Sequence, residues 1–204
     1  MPGIPALTGA TTNPSLVRQA GLRVNLADYE RLVTAAHETG LSGLMLQLPE
    51  PDVETGLEWG RALQREAGAS LSLTFKLPCA AGWRPLLTTL LDEGFEVLLT
   101  AVSNPLQLLW AAECRATWVA PYLGRLEDAG RDPWPLVEAC VAIQRGGGPR
   151  LLAASVRTGD ALARLTGLGA AAVTLRHGFL VSHATDSLTA DAMSQFAEDC
   201  ARED

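Results

Sequence analysis

Short apolar runs alternate with amphipathic stretches along all 204 residues of the chain. The runs are IPALTG (4–9), LSGLMLQL (41–48), LSLTFKL (71–77), FEVLLTAV (95–102), ATWVAP (116–121), RLLAASV (150–156) and AAAVTL (170–175). They are almost continuously apolar, as strands are when both faces of a sheet are covered. Between them, LADYERLVTAAHE (26–38) gathers Leu26, Tyr29, Leu32, Val33 and Ala36 on one helical face, and VETGLEWGRALQREA (53–67) sets Leu57, Ala62 and Leu63 opposite its charges. Further helices are expected over 83–94, 105–114, 133–147, 159–169 and 188–203. Repeated strand–helix units imply a parallel sheet with right-handed crossovers. One unit per roughly 25–30 residues suits a TIM-type (β/α) barrel of the α/β class. A doubly wound open sheet is the alternative. The pattern holds seven strands, where a closed barrel of this kind has eight. No break in composition and no long linker interrupts it, so a single domain over 1–204 is expected.

The net charge of −7 argues against nucleic acid or an anionic membrane surface as partner. An anionic small molecule would need a local basic pocket. No apolar run approaches the ~18–20 residues of a membrane span, and MPGIPALTGATTN lacks the basic start of a signal peptide. The four cysteines, Cys79, Cys114, Cys140 and Cys200, have no metal-binding spacing and read as core filler in a reduced, cytoplasmic protein. His177 and His183 lack a further ligand at a sensible spacing, and GGGPR (146–150) lacks the GK[ST] ending of a phosphate loop. Neither a metal nor a cofactor is expected. One number stands out. Of 16 basic residues, 15 are arginine, and the one lysine, Lys76, sits inside the apolar run LSLTFKLPC.

In a (β/α) barrel the chemistry gathers at the C-terminal ends of the strands, and polar residues fall there in this chain. They are TTNPS (11–15), Gln47, Lys76, Thr100 with Ser103, Tyr122 with Arg125, Ser155 with Arg157, and Arg176 with His177. Lys76 has two readings. It is either a lysine snorkelling at a barrel rim or a desolvated amine able to attack a carbonyl and form a Schiff base. Arg125, Ser155 and Arg157 are either solvated loop residues or a phosphate monoester site, since two guanidiniums and a hydroxyl suit that group. TTNPS is either a turn with a helix cap or a segment presenting Asn13 to the barrel mouth. Tyr122 is either a core aromatic or an acid/base hydroxyl.

Five motifs occur in order: TTNPSL (11–16), FKLP (75–78), LLTAVS…Q (98–107), VAPYLGR (119–125) and LAASVRT (152–158). Together they resemble the transaldolase family, and most of all its small fructose-6-phosphate aldolase/transaldolase-like branch. The resemblance implies a TIM-type barrel and a cofactor-free Schiff-base reaction on a sugar phosphate. It assigns the Schiff-base lysine to Lys76, contacts with the donor hydroxyls and the iminium region to Asn13, substrate binding to Thr12 of the same motif, and positioning of the catalytic water to Thr100. Gln47 and Tyr122 match the small branch, whereas Ser103 resembles the larger transaldolases. Arg125, Ser155 and Arg157 match the phosphate-binding set, and Arg176 in LRHG is an addition near the mouth. Family members also carry a first strand bearing an aspartate, and here the pattern starts at what should be the second strand. The implied protein is thus a barrel lacking its first strand and helix, without that proton-transfer carboxylate. A barrel open at that gap exposes two strand edges, so a homo-oligomer is expected. The implied activity is a class I aldolase or transaldolase acting on fructose 6-phosphate or sedoheptulose 7-phosphate. The alternatives are a degenerate, non-catalytic sugar-phosphate-binding or assembly protein, and a deoxyribose-phosphate-type aldol enzyme.

Overall fold

The computed structural model describes residues 7–184 and 186–202. They fall into two compact units, one spanning Leu7–Thr174 and one beginning at Leu175. In the larger unit seven strands form one sheet in sequential order: β1 (Gly9–Thr11), β2 (Gly43–Gln47), β3 (Ser72–Pro78), β4 (Glu96–Val102), β5 (Trp118–Pro121), β6 (Arg150–Ala153) and β7 (Ala172–Val173). Every neighbouring pair is parallel. The sequential order is that of a barrel, and it removes the doubly wound alternative, whose strand order reverses at a switch point.

The sheet is curled. Met45 of β2 and Ala172 of β7 pack against one apolar cluster of Leu98, Ala120 and Leu152, although their strands stand five places apart in the sheet. In a flat sheet that separation is about 24 Å. Among the described residues no ladder joins β7 to β1. The two edges are the shortest strands, of three and two residues, which limits the unpaired backbone that each presents.

The strands alternate as a barrel requires. On β3, Leu73, Phe75 and Leu77 face the helical layer and are buried, while Thr74 and Lys76 lie on the other, interior side. The outer layer contains α1 (Pro14–Gln19), α2 (Leu26–Glu38), α3 (Val53–Ala67), α4 (Arg84–Asp92), α5 (Pro105–Glu113), α6 (Leu123–Asp128), α7 (Trp134–Arg145) and α8 (Gly159–Leu168). Side-chain caps start most of them. Asn25, Asp52, Asn104 and Thr158 each accept a hydrogen bond from a backbone N–H in the first turn, satisfying donors that the helix leaves unpaired. The smaller unit holds α9 (His177–His183) and α10 (Ser187–Ala201), the latter capped by Asp186.

Several expected bounds move. Residues 4–6 of the first expected strand lie outside the described residues. The ladder itself runs over Gly9–Thr11, so the strand continues into the TTN segment. Gly9 is required there, because a Cβ on it would stand 2.7 Å from the carbonyl oxygen of Gly43. β6 stops at Ala153 rather than at residue 156. Ala154 makes a single bridge to Tyr122, and Ser155 turns to a positive φ of 62° that no ladder accommodates. β7 is also shorter than AAAVTL, covering Ala172–Val173. It pairs only with β6, over two residues.

Candidate active site

Lys76 lies near the C-terminal end of β3, 4% exposed, on the interior side of the sheet. Its ladder neighbours are Gln47 on β2 and Leu98 on β4. The ammonium Nζ donates to the backbone carbonyl of Thr12 at 2.5 Å. Among the described residues it forms no contact with a carboxylate. Burial therefore goes uncompensated by an opposite charge, and it pulls the amine down from 10.5 to about 8. A rim lysine snorkelling into water would be exposed and unshifted, so the geometry matches the desolvated reading.

The segment after β1 holds the carbonyl in place. The Thr12 N–H and hydroxyl both donate to the Met45 carbonyl, at 2.9 and 3.2 Å. Asn13 is the N-cap of α1, where its Oδ1 accepts from the Leu16 N–H at 2.9 Å. Its oxygen thus serves the turn, and Nδ2 has no partner among the described residues. Gln47 is half-buried, and its own carbonyl accepts from the Tyr29 hydroxyl at 2.7 Å.

On the other side of Lys76, β4 carries a bulge. Its register with β5 shifts between Thr100 and Val102, and Ala101 takes a φ of 60°. Bulges re-aim side chains at barrel rims. Here Thr100, 2% exposed, donates through Oγ1 to the Tyr122 hydroxyl at 2.7 Å. That leaves the phenol's own O–H free to donate elsewhere. The Arg125 guanidinium lies over the Tyr122 ring, 4.7 Å from its centroid, and has no carboxylate partner among the described residues. Ser103 is committed elsewhere. Its N–H and hydroxyl both donate to the Gln107 side-chain oxygen, at 2.8 and 3.2 Å. Gln107 in turn donates to the Cys79 carbonyl, joining the ends of β3 and β4.

Ser155 and Arg157 come together at Gly124 of α6, the residue before Arg125. A Cβ added at Gly124 would stand 2.5 Å from Arg157 Nε and 2.7 Å from Ser155 Oγ. Both groups therefore converge on the bare backbone of this glycine. Arg157 is paired with Asp128, each terminal nitrogen meeting one carboxylate oxygen at 2.6 Å. The pair holds the Asp128 carboxyl below its usual range and the guanidinium above its own. Arg176 belongs to the smaller unit, where it is the N-cap residue of α9.

A hollow of about 250 Å³ opens beside Arg125, lined also by Ser103, Tyr122 and Arg131 among others. Arg131 donates to the Ser103 carbonyl at 2.6 Å. Neither it nor Asp128 stands out in the sequence, where both belong to the charged stretch RLEDAGRDPW. The faint signal for Arg131 is its place directly after Gly130, which has a φ of 69°. A larger hollow, of about 420 Å³ and lined by Arg115, Thr117, Gly148 and Arg150 among others, lies at the N-terminal ends of β5 and β6. That end of a barrel serves stability rather than chemistry. Among the described residues no three His, Cys, Asp or Glu gather as a metal site, and no helix is long and apolar enough to cross a membrane. The cysteines are all free; burial pushes the Cys79 and Cys140 thiols up to about 12, away from reactivity.

Residues 3–203 match the family described as Transaldolase/Fructose-6-phosphate aldolase. A protein of Anaeromyxobacter sp. (strain K) named “Probable transaldolase” is 30% identical over 193 residues, covering 94% of this chain and 85% of the relative. One of the same name from Exiguobacterium sibiricum is 30% identical over 195 residues, covering 95% and 87%. A third, from Ruegeria sp. (strain TM1040), is 28% identical over 193 residues, covering 94% and 85%. With a match of this extent on a curled parallel sheet that buries its one lysine, the chain belongs to the transaldolase/fructose-6-phosphate aldolase family.

Proposed function

We propose that the chain is a class I aldolase or transaldolase in which Lys76 forms a Schiff base with a ketose phosphate such as fructose 6-phosphate or sedoheptulose 7-phosphate. The observation that carries this reading is the burial of Lys76 with a pKa of about 8, beside Gln47 and away from any carboxylate partner. A neutral amine is accessible near pH 8, and the water-poor site favours dehydration of the carbinolamine to the iminium. The neutral amine adds to the ketone carbon, and loss of water gives the iminium. A base takes the proton of the C4 hydroxyl, the C3–C4 bond breaks, and its electron pair moves to the iminium nitrogen. The aldose phosphate leaves, and a dihydroxyacetone enamine stays on Lys76. Attack of the enamine on an acceptor aldehyde is the transaldolase outcome; protonation and hydrolysis is the aldolase outcome.

In this reading Tyr122 gives and takes the protons, together with a water held by Gln47 and Thr100. The Thr100 hydroxyl supports this role, because it donates to the phenol oxygen and so stabilises a developing phenolate. Asn13 Nδ2 and Thr12 serve the donor hydroxyls. Arg125, Ser155 and Arg157 take the phosphate, with Ser103 as a further binding residue. The chemistry requires no cofactor and no metal. The tyrosine and glutamine at these positions favour the small aldolase-like branch. We place the protein in the cytoplasm and expect it to self-associate, with the short β1 and β7 edges at or near an interface. Sedimentation showing a stable monomer at micromolar concentration would remove the last point.

A second reading, a sugar-phosphate binder without turnover, is favoured by one observation: no carboxylate stands against Lys76 among the described residues. One experiment separates the two. The protein is incubated with fructose 6-phosphate or dihydroxyacetone, reduced with borohydride, and examined by intact mass and peptide mapping. A ligand-sized adduct on the peptide containing Lys76 is the expected result. Binding without an adduct would transfer the assignment to the second reading.

A further inference from the structure

Arg157 and Asp128 are both about half exposed, with side-chain exposures of 49% and 59%. An ion pair this wet contributes little to stability. Its geometry is nevertheless ordered on both sides. Two parallel hydrogen bonds of 2.6 Å tie the terminal nitrogens to the carboxylate. The Nε and Cζ of the same guanidinium lie where a side chain of residue 124 would begin. Gly124 and Asp128 are four residues apart on α6, so they share one helical face. Helix α6 thus offers a flat seat at Gly124 and a clamp at Asp128, one turn apart.

The clamp leaves the guanidinium unfinished. A planar guanidinium has five N–H donors, and the end-on pair with Asp128 uses one on each terminal nitrogen. Nε–H and the outer hydrogen beside it stay available, and they form the second bidentate edge of the fork. That edge adjoins Ser155, whose Oγ lies 2.7 Å from the same point at Gly124. The positive φ of Ser155, 62°, belongs to this turn, and the Ser155 carbonyl accepts from the Gly124 N–H at 3.2 Å.

We propose that Asp128 is a positioning residue for the phosphate of the substrate: by gripping one edge of Arg157 against Gly124, it presents the other edge, together with Ser155, to a phosphate monoester. This rests on the reading of Arg125, Ser155 and Arg157 as the phosphate site. It sharpens that reading to substrates whose phosphate is held bidentately by a pre-oriented guanidinium. It also assigns Gly124 a part, because any Cβ there displaces Arg157 and Ser155 together.

The test measures equilibrium binding of fructose 6-phosphate and of inorganic phosphate by calorimetry, with borohydride trapping of dihydroxyacetone as the phosphate-free control. Asp128→Asn keeps the shape and removes the charge. It is expected to weaken fructose 6-phosphate and phosphate about tenfold, the loss of one oriented charge-assisted contact, and to leave the half-saturation of dihydroxyacetone trapping unchanged. Asp128→Glu is expected to recover part of the loss, and Gly124→Ala to reproduce it. If Arg157→Leu weakens phosphate binding while Asp128→Asn leaves it unchanged or tightens it, Asp128 is not a positioning residue, although the phosphate site stands. If the wild-type protein binds neither phosphate nor fructose 6-phosphate, or if Arg125→Leu and Arg157→Leu change nothing, the phosphate site falls and the proposal with it. Equal weakening of the phosphate-bearing and phosphate-free ligands would mark Asp128 as merely structural and overturn the proposal.

Discussion

Arg150 and Arg125 stand at opposite ends of the same barrel and begin alike. Each is exposed, and each lies over an aromatic ring, Arg150 at 3.9 Å from the Trp118 centroid and Arg125 at 4.7 Å from that of Tyr122. Their surroundings then diverge. At the N-terminal end Glu96 receives hydrogen bonds from Arg150, from the Thr74 hydroxyl and from the Trp118 indole. Arg150 there meets its opposite charge, Glu96, inside the protein. At the C-terminal end Arg125 has no carboxylate partner among the described residues, and Lys76 has only the neutral carbonyl of Thr12. Polar groups that satisfy one another hold a fold together. Polar groups held in place but left short of partners are available to a ligand. The two ends use similar residues and differ in whether the bonding is complete.

The comparison breaks most sharply at Lys76. Lys76→Met is expected to abolish the borohydride adduct entirely while making the protein more stable at neutral pH, by roughly 5 °C in Tm. The sign follows from burial. The folded-state pKa of about 8 lies below the unfolded value of 10.5, so the unfolded chain binds more protons between those values, and stability rises as pH climbs through them. Below about pH 8 the penalty is full. The melting gap between variant and wild type should therefore be widest below pH 8 and close toward pH 10.5. Trapping by the wild type should rise about tenfold between pH 7 and 9, as the amine loses its proton. A variant no more stable than wild type at pH 7 would mean that Lys76 is not held against its charge.

Tyr122→Phe comes next. It should leave the Lys76 adduct in place and lower C–C cleavage by about 10²–10⁴-fold, the usual contribution of a proton-transferring group. Single-turnover release of the aldose phosphate measures it, and cleavage at the wild-type rate would exclude Tyr122 from the role. Glu96→Gln, at the other end, should do the reverse on a smaller scale. One oxygen alone would remain to accept, so either Arg150 or the Thr74 and Trp118 donors would face an NH2 group, costing about 1 kcal/mol after solvent screening and roughly 2–4 °C in Tm. Adduct formation should not change. Loss of the adduct in this variant would show that the two ends are not separable.

Much of this frame is legible in the sequence, and the legible part has a physical basis. Helices α2 and α3 span 13 and 15 residues, long enough for an apolar stripe to repeat, and both were expected at these bounds. The six-residue α6 and the seven-residue α9 are too short to show a period and are not among the expected helices, while the six-residue α1 is signalled by the cap in TTNPS alone. Lys76 is visible because it is the one ammonium in an apolar run. Asp128 is not, because its significance arises only when α6 winds and brings it onto Gly124's face, opposite an arginine 29 residues away. The bulge at Ala101 is equally silent. Alanine signals no positive φ, so only the shifted ladder reveals how Thr100 comes to meet Tyr122.

The solitary lysine has a further consequence. All other basic side chains are arginines, so the outer surface bears guanidinium and no side-chain ammonium. Acyl donors and succinimidyl esters, which modify lysine-rich proteins at many points, find one lysine here, at the floor of the barrel mouth. Side-chain acylation and loss of the Lys76 amine become a single event, and on the proposed function a bound sugar phosphate should shield against it. An amine-selective label, read on the peptide containing Lys76 and apart from the α-amine of Met1, would thus report how often the mouth stands open.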